Sequence, residues 1–168
     1  MDMNHILIVE DDKDIRAGVA IYLKSQGYEV FMAEDGMKGL EVLEKEEIHL
    51  AIVDIMMPRM DGITMTMKLR EKHDFPVIML SAKSEEVDKV MGLNIGADDY
   101  VTKPFTPMEL MARVNSQMRR YRRFMEKLQT KEQERTETVY TMGGLEVNEN
   151  TFEVRVDDAP VKRSEERR

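Results

Sequence analysis

Five short apolar runs punctuate the first part of the chain: HILIVE (5–10), EVFMA (29–33), LAIVD (50–54), PVIMLSA (76–82) and DYVTK (99–103). Several are continuously apolar rather than alternating, the pattern of parallel strands covered on both faces. Between them, apolar positions recur at helical spacing. Ile15, Val19, Tyr22 and Leu23 share one face of a first helix, with Asp14 predicted as its N-cap. Met37, Leu40 and Leu43 mark a second, Met65 and Leu69 a third, Val87, Val90, Met91 and Leu93 a fourth, and Leu110, Val114, Gln117 and Met118 a fifth. Gly27 and Gly96 are placed to stop the first and fourth helices. Five strands alternating with five helices predict an α/β fold. The predicted architecture is a doubly wound, five-stranded parallel sheet with right-handed crossovers and strand order 2-1-3-4-5.

After residue 121 the pattern changes. Residues 122–137 are polar and mixed in charge, which predicts a helical, charged linker. Residues 138–168 carry alternating strand-like runs with Gly-Gly, Asn-Glu-Asn and Asp-Asp turns, so a short fragment rich in β-hairpins is predicted there. About 30 residues of hairpins bury too little surface to stand alone. The domain reading is therefore 1–121, 122–137 and 138–168.

Composition narrows the chemistry. The 168 residues include no cysteine, which excludes disulfides and thiolate metal sites, and three scattered histidines argue against a His-based zinc site. Net charge is −8, with −7 in residues 1–120 and −1 in 121–168, so non-specific nucleic-acid binding is not expected. No apolar run approaches the roughly 20 residues of a membrane span. The N-terminal MDMNHILIVEDD lacks a basic start and a small-residue cleavage site. A cytoplasmic location is the resulting expectation. The 16 methionines are expected mostly to fill gaps in the core.

In such sheets ligands bind beyond the carboxyl ends of the strands. Glu10, Asp11 and Asp12 follow the first strand, Asp54 ends the third, Ser81 the fourth and Lys103 the fifth. Clustered carboxylates repel, so one pKa must rise or a cation must sit among them. Two or three carboxylates with a backbone carbonyl suit Mg²⁺. Such an ion, an ammonium and a hydroxyl aimed at one carboxylate describe a phosphoryl-transfer site, with Asp54 as nucleophile.

ILIVEDD, LAIVDIMMPRMDG, VIMLSA and GADDYVTKPF, in this order and with 22 residues from Ser81 to Lys103, resemble the receiver domain of two-component response regulators over about residues 4–121. The resemblance implies a flavodoxin-like fold and a phosphoacceptor at Asp54, loaded by a sensor histidine kinase. It implies Mg²⁺ held by Asp11, by Asp54, by the Met56 carbonyl and, through water, by Glu10, and it leaves Asp12 as a helix N-terminal charge. It also implies a conserved-type lysine at Lys103, a Ser81–Tyr100 switch pair and a cis peptide between Lys103 and Pro104. Such a protein is a phosphoacceptor with slow self-dephosphorylation and not an enzyme in the ordinary sense.

Three charge pairs, Lys89 with Glu109, Asp98 with Arg120 and Asp99 with Arg113, match positions resembling the dimer face of the OmpR/PhoB family, built from the fourth helix, fifth strand and fifth helix. A homodimer on phosphorylation follows. TMGGLEVNENTFEVRVDDAPVK resembles the β-platform that precedes that family's winged helix, whose recognition helix is not in this sequence. DNA binding and transcription control are thus implied for the intact family, through an output domain incomplete here. Two rivals stand beside this reading. A phosphatase with an aspartyl nucleophile wants a second aspartate at position 56, where the chain has methionine. A phosphate-independent interaction module would keep the fold and lose the switch, against which Asp54, Ser81 and Lys103 argue.

Overall fold

The computed structural model describes residues 4–82 and 95–142. The chain divides into two units after Arg122. In the first, β1 (His5–Val9), β2 (Glu29–Ala33), β3 (Leu50–Asp54), β4 (Val77–Ser81) and β5 (Asp99–Thr102) form one parallel sheet in the order β2-β1-β3-β4-β5. The predicted fold class and strand order are those observed. The helices are α1 (Lys13–Ser25), α2 (Gly36–Lys45), α3 (Gly62–Leu69) and α4 (Pro107–Met142). The fourth helix expected from Val87–Leu93 lies outside the described residues, so the helix predicted as the fifth is α4 here.

Why these residues make a two-faced sheet is visible in the alternation of side chains. Leu7, Val9, Ala51, Val53, Val77 and Met79 face one core with Leu43, Met65 and Leu69 of α2 and α3. Ile6, Ile8, Leu50, Ile52, Ile78 and Leu80 face the other, with Val19 and Leu23 of α1 and Leu110, Val114 and Met118 of α4. β1, β3 and β4 are buried on both faces except at His5, which explains their unbroken apolar runs. β2 lies at the sheet edge and is correspondingly half exposed. The methionines split: Met65, Met79, Met111 and Met118 fill the cores, while Met32, Met37, Met56, Met67 and Met108 are exposed.

The helix ends follow local chemistry, with one correction. Asp12, not Asp14, caps α1: its Oδ1 accepts from the backbone N–H of Asp14 at 2.9 Å and of Ile15 at 3.2 Å. Asp14 instead lies in the first turn, where a negative charge favours the helix dipole. Gly27 ends α1 with φ +92°, its N–H donating to the Lys24 carbonyl and the Tyr28 N–H to that of Leu23. Asp35 and Asp61 cap α2 and α3. Thr106 accepts from the Glu109 N–H, and Pro107 occupies the first turn of α4.

Helix α4 continues beyond Arg122 into the second unit. It takes up residues 122–137, read above as a helical linker, and runs on to Met142, inside the span read as strand-rich. The remainder of that span, 143–168, lies outside the described residues. Along residues 123–135 the helix is largely exposed, Phe124 and Leu128 included. No helix among the described residues is long and apolar enough to cross a membrane.

The chain makes its sharpest packing demand where β3 hands over to α3. A Cβ on Gly62 would fall on the carbonyl oxygen of Asp54, whereas one on Gly39 would meet the mobile end of Met65 at 2.7 Å and a methyl of Val9 at 3.0 Å. Gly62→Ala should therefore cost ~3 kcal/mol or more in urea unfolding. Gly39→Ala should change stability by no more than ~1 kcal/mol, because helix propensity offsets the crowding.

Candidate functional site

Side-chain parity brings the polar strand tips together. In β1 and β3 the even-numbered residues face α1 and α4, and Glu10 and Asp54 continue that series. Val101 faces the same way, and Lys103 follows two residues on. Glu10 extends the β1–β2 pairing by one bond, its N–H donating to the Ala33 carbonyl at 3.1 Å, and is fully buried. Asp54 ends β3 and is 4% exposed. Lys103 is drawn in by β4, its N–H donating to the Ser81 carbonyl at 2.6 Å. The result is one ammonium between two carboxylates: Lys103 Nζ lies 2.9 Å from Glu10 Oε1 and 3.2 Å from Asp54 Oδ2. Asp11, exposed beside them, completes a group in which one carboxylate oxygen from each of the three residues lies within 4.8 Å of the others.

The electrostatics are out of balance. Burial pushes the Asp54 carboxyl up to about 7, and the neighbouring Glu10 adds to the rise against the pull of Lys103. Burial also works against the Lys103 charge, but Glu10 and Asp54 outweigh it and hold that ammonium above the ordinary lysine range. Glu10 Oε1 meets the lysine charge without a well-aligned hydrogen bond. Among the described residues Lys103 is thus shared by two buried acids, with the exposed Asp11 as a third beside them. Hard oxygen donors in this number, one of them poorly satisfied, fit a further small divalent cation, and Glu10, Asp11 and Asp54 are the side chains that could hold it.

The other residues singled out by sequence fall as follows. Met56 follows Asp54 in the β3–α3 loop; its side chain is exposed and its N–H donates to Asp54 Oδ1 at 3.3 Å. Ser81 is fully buried at the tip of β4. Tyr100 is partly buried against the α2–α3 core, and that burial, with Asp98 and Asp99 nearby, raises its hydroxyl pKa. The Lys103–Pro104 peptide is cis. Of the three charge pairs, Asp99 and Arg113 meet within the chain at 2.6 Å, and Glu109 lies 3.7 Å from Arg113. Asp98 is held by Arg70 at 2.7 Å, while Arg120 is exposed. Lys89 lies outside the described residues.

Sequence reasoning missed three bracing arginines: Arg16 and Arg59 at this rim, and Arg70 at the opposite end, where β4 and β5 begin. Arg16 Nη1 donates to the Glu10 carbonyl at 2.6 Å and so fixes the turn carrying the acids. Arg59 Nε donates to Asp35 Oδ2 at 2.8 Å. Arg70 donates to the carbonyls of Gly96 and Phe75 as well as to Asp98. Only Arg16 carried a usable signal, standing four residues after Asp12 on the first turn of the helix; the others are paired across 24 and 28 residues.

Residues 6–115 match the family model described as response regulator receiver domain. The chain is similar to the regulatory protein VanR of Enterococcus faecium, 49% identical over 148 residues, which are 88% of this chain and 62% of that protein. It is similar to VanRc of Enterococcus gallinarum, 47% identical over 119 residues, 71% of this chain and 52% of that one. The chain thus spans little more than half the length of these curated relatives. Among solved structures, a CheY-like response regulator receiver domain protein from Methanospirillum hungatei superimposes with a TM-score of 0.68 at 31% identity, covering 73% of this chain and 98% of that one.

The Asp54 shift sets a pH dependence. Its native pKa, about 7, lies above the ordinary aspartate value of 3.8, so between these pH values the folded chain holds a proton that the unfolded chain has lost. Stability from this group is complete below the lower value and declines as pH rises through 7. In EDTA, urea unfolding at pH 8 should show ~2 kcal/mol less stability than at pH 5.5, a loss that Asp54→Asn largely removes. Adding Mg²⁺ at pH 8 should restore wild-type stability and leave Asp54→Asn little changed.

Proposed function

Because the chain belongs to the response regulator receiver family and so carries the receiver domain of a two-component system, we propose that it works as a phosphorylation-driven switch with Asp54 as phosphoacceptor. The observation supporting this most directly is the pairing of both Asp54 and Glu10 with the ammonium of Lys103, with Asp11 beside the two acids. In the proposed step an Asp54 carboxylate oxygen attacks the phosphorus of a phosphohistidine on a sensor kinase. The P–O bond to Asp54 forms as the P–N bond breaks, and the leaving imidazole takes up a proton from water. Lys103, already against Asp54, stays to meet the charge of the transferred group, and the Ser81 hydroxyl at the adjacent strand tip donates to it. Mg²⁺ bound by Asp11, Asp54 and the Met56 carbonyl, with Glu10 nearby, would neutralise the incoming phosphoryl charge. Water later hydrolyses the acyl phosphate and resets the carboxylate.

The response is assigned to Ser81 and Tyr100. Engagement of Ser81 by the phosphoryl group leaves room for the ring of Tyr100 to turn further inward and shifts the population toward a conformation in which β5 and its flanking helices favour a second copy. Glu109, Asp98, Asp99, Arg113, Arg120 and Lys89 are the charges proposed to face the partner, each pair used twice across a two-fold axis. DNA contact and transcription control are assigned to a separate output domain, whose beginning the sequence after Met142 resembles.

Incubation with Mg²⁺ and acetyl phosphate should add one phosphoryl mass to the intact protein, lost in Asp54→Asn and labile on standing. No added mass in the wild type would favour the phosphate-independent module. Phosphorylation should also move the protein to a dimeric elution volume in gel filtration. Arg113→Glu should reverse that shift, by tenfold or more in dimer dissociation constant, while leaving the mass gain intact.

A further inference from the structure

The loop between β3 and α3 has two fastenings. Its neck is closed by the Gly62 N–H, which donates to the Ile55 carbonyl at 2.9 Å. Its tip is Arg59, whose φ of +65° is the left-handed region that a side chain adopts only under constraint. A tight turn accompanies it, the Met60 N–H donating to the Pro58 carbonyl at 2.7 Å. From this tip the guanidinium reaches across to α2, where Nε meets Asp35 Oδ2 at 2.8 Å and Nη2 lies 3.5 Å from Glu34.

Asp35 is an unusual anchor. Its side chain is fully buried, and its two oxygens are divided between two tasks. Oδ1 caps α2 by accepting from the Lys38 N–H at 2.9 Å, and Oδ2 takes Arg59. A buried carboxylate held this way has one position. The same helix end also abuts the loop directly: a Cβ on Gly36 would come within 2.9 Å of the Met60 carbonyl oxygen and 3.0 Å of the Met60 Cβ. Helix α2 therefore forms a wall, and Arg59 fastens the loop to it. Met56, whose N–H already bonds Asp54, lies between the closed neck and the fastened tip.

We infer that Arg59 is a positioning residue for the cation site: its pairing with Asp35 fixes the loop that presents the Met56 carbonyl beside Asp54. The inference rests on the proposed Mg²⁺ site and adds a residue to it that touches neither the ion nor the phosphoryl group. It explains why a left-handed arginine is tolerated at the tip: the ion pair holds it there. Glycine would adopt the same backbone freely but could not reach Asp35.

The test measures Mg²⁺ affinity on the full chain by calorimetric titration with Mg²⁺ alone, alongside thermal melts in EDTA. Arg59→Gly relieves the strained backbone but leaves the buried Asp35 oxygen without its cation, so its EDTA melt should fall, while its Mg²⁺ dissociation constant, measured well below that melt, rises 3- to 10-fold. Asp35→Asn keeps an oxygen to cap α2 and should weaken Mg²⁺ binding by a similar factor. The double variant should be no weaker than either single one, because both remove the same contact. Arg59→Lys, which keeps the charge, should recover part of the affinity. Wild-type affinity in Arg59→Gly, with binding lost in Asp11→Asn, would overturn the role of Arg59 and leave the cation site standing. Mg²⁺ binding that is absent in the wild type, or unchanged in Asp11→Asn, would remove the site itself and this role with it.

Discussion

Among the described residues three carboxylates gather around one ammonium at the carboxyl end of the sheet, and the burial of two of these acids beside each other is the constraint around which the rest is arranged. Glu10 and Asp54 are buried, so neither has water to spread its charge. Lys103 stands within 3.2 Å of both and cannot neutralise both. The imbalance appears in Asp54, which holds its proton to about pH 7. A site in this condition is receptive to added positive charge and, once that is present, to the negative charge of a phosphoryl group. The energetic tension is thus part of what the site can do, rather than a defect the fold has failed to remove.

Keeping such a cluster in place demands stiffness, and the structure supplies it from below and from the sides. From below, β1, β3 and β4 are buried among aliphatic side chains on both faces, so their register cannot slip without exposing a core row. That register puts Glu10 beside Asp54 as surely as it pairs Val9 with Val53. From the sides, arginines act as braces. Arg16 ties the acidic turn to α1, and Arg59 ties the β3–α3 loop to α2. Arg70 gathers the carbonyls of Phe75 and Gly96 and the carboxylate of Asp98, ordering the approach to β5, on which Tyr100 and Lys103 depend. A guanidinium suits this work because its fixed fork serves several acceptors at once.

The same braces bear on the surface proposed for a second copy. Asp98 is occupied by Arg70 and also accepts from the Val77 N–H at 2.8 Å, and Asp99 is occupied by Arg113. These acids are therefore held in fixed positions before any partner arrives. A partner's cation would join an ordered carboxylate and lose less entropy on pairing than with a free one.

Much of the fold was legible in the sequence because buried parallel strands leave a plain mark: LAIVD and EVFMA became β3 and β2 residue for residue. The candidate acids and Lys103 were legible because strand ends in such a sheet point to one rim. Where local chemistry left a choice, the sequence could not decide it. Asp14 was read as the cap of α1 because it directly precedes the apolar face, and only the path of the chain out of β1 selects Asp12. The pairings of Arg59 with Asp35 and of Arg70 with Asp98 join residues far apart in the chain, and neither periodicity nor composition carries a distance across that gap. The order of elements and the kinds of groups at the strand tips were thus local properties, written in spacing and residue type. Which charges touch, which one is left short of a partner and which loop is braced were decided by tertiary packing, because Coulomb and hydrogen-bond energies depend on separations that exist only once the sheet has closed.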